Sequence, residues 1–125
     1  MAGLWFEEFK EGMVFDHEWT RTLTETDNKW FSLLTLGCMV GMTVNDTTFG
    51  TTIANLGMTD VKFPHPLFEG DTIHMRTIVI AKRESKSRPE EGIVTLRHEC
   101  YNQENKLCGS CDRAALMRKR PKEEV

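Results

Sequence analysis

Fourteen consecutive residues, Phe31 to Val44, carry no charge, and this run constrains the chain more than any short motif in it. A membrane-spanning helix needs roughly 20 apolar residues, so the run is short for lipid and reads as a buried helix over Trp30–Asn45. Leu33, Leu34, Leu36, Met39, Val40, Met42 and Val44 leave no wide polar stripe. Such a helix is expected to be covered on most of its sides. Gly37 and Gly41, four residues apart, bare one strip of it where a sheet is expected to approach closely, and a bulky residue at Gly41 is then expected to unfold the protein.

The 125 residues suit one domain, 1–125, with one core. A hydrophobic content of 39% and a charged content of 28% are those of an ordinary globular chain, not a disordered or fibrous one. The formal net charge of -3 gives no electrostatic case for nucleic acid or an anionic membrane as partner. The start, MAGLWFEEF, lacks the features of a signal or transit peptide, so a cytoplasmic protein is expected.

Before the apolar run, Trp5, Phe6 and Phe9 mark a short amphipathic segment, and Met13–Leu23 reads as a strand with Val14, Phe15, Trp19 and Leu23 as its main apolar residues. Thr24-Glu25-Thr26-Asp27 is a helix-start signal, which leaves Asp27 either a capping carboxylate or a catalytic one. After the run, Thr51–Phe63 supplies β-formers, and Phe63-Pro64-His65-Pro66 is a rigid link that holds an exposed His65. His65 is either a turn residue or a general acid–base.

The rest is strand-like. Thr72–Lys82 carries Ile73, Met75, Thr77 and Val79 on one face, Ile93–Tyr101 carries Val94, Leu96, His98 and Cys100 on one face, and Leu107–Met117 follows, with a charged, frayed tail expected from Arg118. These three strands, joined by hairpin-length loops, form an antiparallel meander. Cys38, Cys100, Cys108 and Cys111 could be disulfides, a metal site or buried thiols. Cys108 and Cys111, three apart on a strand, point to opposite faces, which favours buried thiols. His17, His65, His74 and His98 show no metal-ligand spacing, and no metal is expected.

One strand, a long apolar helix and several antiparallel strands with no second helix point to an α+β chain, a sheet curled around one helix in the hot dog manner. A single layer of that kind leaves an edge and apolar surface open, so a homodimer or an oligomer of dimers is expected. The blocks TETDNKWFSLLT, LTLGCMVGMTVND, ANLGMTDVKFPHPLFEGDTI, KRESKSRPEEGIV and CDRAALMRKRP resemble the MaoC-like hydratases, in the branch of mesaconyl-CoA hydratase, also called β-methylmalyl-CoA dehydratase. The resemblance covers most of the chain.

It implies hydration of a short branched α,β-unsaturated acyl-CoA such as mesaconyl-CoA, with the coenzyme A thioester as substrate and no separate cofactor. That reaction needs a base for water, a proton donor for the α-carbon and dipoles for the enolate oxygen. The family supplies an Asp/His pair from a D-x-N-P-x-H segment, and this sequence has no such segment: FSLLT runs straight into LTLGCMVGM. Asp27 and His65 are the remaining catalytic candidates. Lys82, Arg83, Ser85, Lys86, Ser87 and Arg88, in one of the resembling blocks, are candidates for the coenzyme A phosphates, against the plainer reading of a solvated hairpin. The alternative to an active hydratase is a catalytically silent hot dog subunit that binds acyl-CoA or pairs as a heteromer with a complete homologue; a shortened variant of such a homologue is a third reading. A thioesterase is weaker, because Leu33–Val44 offers no carboxylate.

Overall fold

A computed structural model describes residues 3–25, 27, 31–42, 47 and 50–121, with the backbone alone at 31–35. Five strands form one antiparallel sheet: β1 (Val14–Thr22), β2 (Thr52–Lys62), β3 (Thr72–Glu84), β4 (Glu91–Tyr101) and β5 (Leu107–Arg118), in the order β1-β3-β4-β5-β2. Among the described residues the one long helix, α1 (Phe31–Gly41), lies over β4 and β5. Each expected strand is present, with ends that move by one or two residues. The helix is shorter than the apolar run, and residues 43–46 lie outside the described ones. No described helix is long and apolar enough to cross a membrane.

The meander β3-β4-β5 forms because its residues alternate. Ile73, Met75, Thr77 and Val79 of β3 and Val94, Leu96, His98 and Cys100 of β4 all point inward. The apolar core falls into two clusters along the strands. Leu23, Met39, Leu67, Ile73, Met75, Cys100, Cys108 and Cys111 make one, and Phe6, Phe9, Val79, Val94, Leu96, Ala115 and Met117 the other. The second is closed by the N-terminal segment, a single 3-10 turn at Phe6–Glu8. The chain just after β5 is tied down, contrary to the frayed tail expected: Lys119 N–H donates to Glu90 O and Arg120 N–H to the Glu7 carboxylate.

Two sequence expectations change here. Tyr101 faces Leu107 and Cys100 faces Gly109, so β5 carries one extra residue at Cys108. That bulge turns Cys108 into the cluster that holds Cys100 and Cys111, rather than to the opposite face. All four thiols are free, and burial pushes the Cys100 thiol up to about 12, which makes it an inert core group.

The glycine strip is the second correction. Gly37 and Gly41 are exposed, and a Cβ on either would meet nothing within 4 Å. Met39 is the buried residue of the helix end, while Leu36, Cys38 and Met42 are only partly covered. Among the described residues no strand comes within 4 Å of a Cβ placed on the strip, because the sheet meets α1 on the side of Met39. The consequence reverses the expectation at Gly41: Gly41→Ala gains helix propensity of about 1 kcal/mol and raises the melting temperature. Gly92→Ala lowers it, because the new methyl would overlap the buried ring of Phe6. Thermal melts of the two variants check both signs.

Candidate functional site

The strand β1 is not regular, and its irregularity builds the site. Asp16 faces Arg76 and Thr20 faces His74, so four steps on β1 match two on β3 and two residues are extra. The chain twists there. His17 turns inward and is buried, whereas Trp19 turns out, with 59% of its surface exposed. The sequence names Trp19 among the main apolar residues of this strand, and the bulge is why it faces outward while His17, two residues before it, is buried. Trp19, Thr20 and Arg21 then face Gly37, Cys38, Gly41 and Met42 across a groove of about 660 Å³. With no side chain on either glycine, the helix backbone forms the floor.

At this groove Arg21 holds Asp27. The Arg21 Nη2 donates to Asp27 Oδ1 at 2.8 Å and its Nε to Oδ2 at 3.1 Å. Asp27 Oδ2 also accepts the Thr24 N–H, and Thr24 Oγ1 accepts the Asp27 N–H, both at 3.2 Å. This reciprocal pair is a capping box, as the sequence TETD indicates. The Arg21 guanidinium keeps the Asp27 carboxyl below its usual range. A carboxylate engaged on both oxygens is a weak base, so its role here is to start the helix and orient Arg21.

His65 stands on its proline link and is half-buried rather than exposed. The loop that follows is anchored to the end of β1, where Leu23 N–H donates to Asp71 O and Gly70 N–H to Leu23 O, each at 2.8 Å. Asp27 and this loop therefore share one end of the sheet. Among the described residues no hydrogen bond or ion pair joins Asp27 to His65, so the two do not form a dyad.

A polar row that the sequence reading did not assign to a site lies between the two apolar clusters. His17 of β1, Thr77 of β3, His98 of β4 and Arg113 of β5 are all buried. His17 Nε2 is 2.7 Å from Thr77 Oγ1, which is 2.9 Å from His98 Nδ1, and Arg113 Nε donates to His98 Nε2 at 3.1 Å. A guanidinium only donates, so His98 Nε2 must accept and its proton sits on Nδ1. That N–H donates to Thr77 Oγ1, and the threonine hydroxyl is left to donate to His17 Nε2. The signal was in the alternation: Thr77 and His98 interrupt otherwise apolar faces.

Burial, then the Arg113 charge, pushes His98 down to about 3. Between its ordinary value near 6.5 and about 3, the unfolded chain binds a proton that the folded chain refuses, so stability falls as pH is lowered through that window. Thermal melts from pH 6.5 to 4.5, above most carboxylate titrations, should show this loss at up to about 1.4 kcal/mol per pH unit. In His98→Gln that one-proton component disappears.

The hairpin between β3 and β4 divides the phosphate candidates. Lys82 is not available: its Nζ donates to Phe6 O at 3.1 Å and Phe9 O at 2.9 Å and lies 4.4 Å from the centre of the Phe6 ring. It fastens the N-terminal segment to the sheet. Ser85 Oγ accepts the Arg88 N–H at 3.2 Å and so shapes the loop, and Arg88 reaches Glu91 at 3.4 Å. Arg83, Lys86, Ser87 and Arg88 remain exposed on the hairpin. Lys82→Met is expected to destabilise the fold by about 1–3 kcal/mol. The double change Arg83→Ala and Arg88→Ala should leave the melting temperature unchanged and weaken coenzyme A thioester binding, which calorimetry measures.

A family model described as mesaconyl-CoA hydratase matches residues 32–124, most of the chain. Among curated proteins, no sequence matches. A Chloroflexus aurantiacus protein described as a MaoC domain dehydratase superposes with a TM-score of 0.85 and 26% identity, over 98% of this chain and 44% of that one. The MaoC-like dehydratase from Rhodospirillum rubrum does so at 0.80 and 22%, over 96% of this chain and 100% of that one. A Mycobacterium tuberculosis protein with a double hotdog fold matches at 0.82 and 20%, over 98% and 46%. The sheet and its helix are thus a hot dog fold. The chain spans less than half of the Chloroflexus and Mycobacterium proteins.

Proposed function

The chain belongs to the mesaconyl-CoA hydratase family of MaoC-like hydratases and dehydratases, and from that premise we propose that it serves the hydration of a short branched α,β-unsaturated acyl-CoA such as mesaconyl-CoA. In that reaction the hydroxyl of water bonds to the β-carbon and a proton to the α-carbon of the thioester. The observation that carries the reading is the groove between β1 and α1. It is mainly apolar, open at one side, and floored by a helix backbone that Gly37 and Gly41 leave bare. An acyl group lying along that strip can approach the helix more closely than side chains would allow.

The acid–base groups come from a second hot dog domain in this proposal, a complete homologue paired with this chain. Asp27 is spent on Arg21 and Thr24, and His65 stands apart from it. Two features favour such pairing. The edge strand β2 exposes Leu56 and Val61, and two of the matched proteins have room in one chain for a second domain of this size. The exposed Arg83, Lys86 and Arg88 are then cations for the coenzyme A phosphates.

The test follows the absorbance of the conjugated enoyl thioester. The chain alone should bind mesaconyl-CoA without loss of that absorbance, and a complete MaoC-like homologue added to it should restore hydration at a rate above the homologue alone. Loss with the chain alone, abolished by Asp27→Asn or His65→Ala, would return the acid–base role to this chain. Binding with no gain in the mixture favours the second reading, a silent subunit that holds acyl-CoA. Gly41→Leu should fold and yet weaken thioester binding tenfold or more, about 1.4 kcal/mol, because its side chain fills the groove; an unchanged affinity would remove the groove from the mechanism.

A further inference from the structure

The fork that holds Asp27 uses only part of Arg21. Asp27 takes Nε and Nη2, and among the described residues Nη1 has no partner. The side chain is 47% exposed and lines the groove, so a ligand lying there meets it. Register fixes which way it points. Arg21 is paired with Ile73 across β1 and β3, and Ile73 is fully buried in the cluster that also holds Met39 of α1. Directly opposite residues share a face of the sheet, so Arg21 lies on the side that α1 covers. Burial raises the Cys38 thiol on the helix wall, and the Arg21 charge opposes that rise, which puts the guanidinium within electrostatic reach of the far wall.

The charge balance selects the kind of group this donor suits. Among the described residues Arg21 is the one charged side chain that lines the groove, and Asp27 makes the pair neutral as a unit. A permanent anion such as a phosphate gains little from a neutral pair. A neutral oxygen that turns negative during a reaction gains more, because the N–H groups are held in place beforehand and need no reorganisation. The Asp27 hydrogen bond, then the Asp27 charge, raises Arg21 above its ordinary range, so it donates hydrogen bonds without giving up a proton.

We propose that Arg21 donates through Nη1 to the thioester carbonyl oxygen of the enoyl substrate and stabilises the charge that gathers there. The proposal rests on the acyl-CoA reading above and assigns a residue within it. As the oxygen of water bonds to the β-carbon, the double-bond electrons move through the α-carbon to the carbonyl oxygen. When the α-carbon takes its proton they return, and Arg21 keeps every proton throughout. The acyl group is then held between the bare strip of Gly37 and Gly41 and the guanidinium across the groove.

The experiment binds mesaconyl-CoA, isotopically labelled at the thioester carbonyl carbon, to the full chain and reads that carbonyl stretch by difference infrared spectroscopy. Calorimetry gives the affinity, and a thermal melt shows that each variant folds. The parent should move the band to lower wavenumber than in the free thioester. Arg21→Gln should lose at least about half of that shift while weakening binding no more than about tenfold, the scale of one hydrogen bond. Free coenzyme A should behave alike towards parent and variant. A shift that survives Arg21→Gln, or thioester bound by the parent with no shift, overturns this proposal and leaves the acyl-CoA reading in place. An equal loss of affinity for free coenzyme A does the same, since it would make Arg21 a phosphate contact. If the parent binds no thioester, both fall together. Should Arg21→Gln fail to fold, Arg21→Lys, whose single amine stays on Asp27, is expected to lose the shift and decides by the same comparison.

Discussion

The hydrogen bond from Arg113 Nε to His98 Nε2 is the constraint on which the interior depends. Because one partner can only donate, every other proton in the row takes a fixed place, through Thr77 to His17 and across four strands. In an antiparallel sheet a one-residue slip turns the inward side chains outward, whereas a two-residue slip keeps a uniformly apolar face inward. This face is not uniform. A slip of β4 against β3 or β5 would strand His98 among aliphatic groups, at the cost of an unmet buried polar group, so the row pins the register that the apolar residues alone would leave softer.

Much of the fold was legible because it rests on period. The alternation in Thr72–Lys82, Ile93–Tyr101 and Leu107–Met117 gave the meander, and the uncharged run gave the helix. What sequence did not convey was geometry set by extra residues. The bulge in β1 puts His17 and Trp19 on opposite sides, and the bulge at Cys108 brings that thiol into the cluster of Cys100 and Cys111; neither leaves a mark in composition. The capping box of Thr24 and Asp27 was visible as a motif, yet its partner Arg21 was not, since that contact depends on where the helix start lands beside β1. Arg113 escaped notice for a simpler reason: an arginine in a strand reads as an outward residue until its neighbours show which face is buried.

The glycines show how one sequence signal supports two structural outcomes. A bare helix strip permits the close approach of either a backbone or a ligand, and propensity alone does not choose between them. Here the sheet takes the Met39 side of α1 and leaves the strip to the groove. Lys82 was misread in a related way. Its positive charge belongs to a cationic block in the sequence, but its length lets it reach back to the carbonyls of Phe6 and Phe9, where it works as a fastener for the N-terminal turn.

The strand order carries a consequence for the helix as a mechanical part. Strands β1 and β2 follow one another in the chain, yet they occupy opposite edges of the sheet. The connection that includes α1 must cross β3, β4 and β5, four strand spacings or roughly 19 Å. Eleven helical residues span about 16 Å. The helix packs on β4 and β5 within that crossing, and through it the connection ties the two edges together. Curvature of the sheet and length of the helix are coupled through that tie, so a gain or loss of one turn in α1 would be felt at both margins at once.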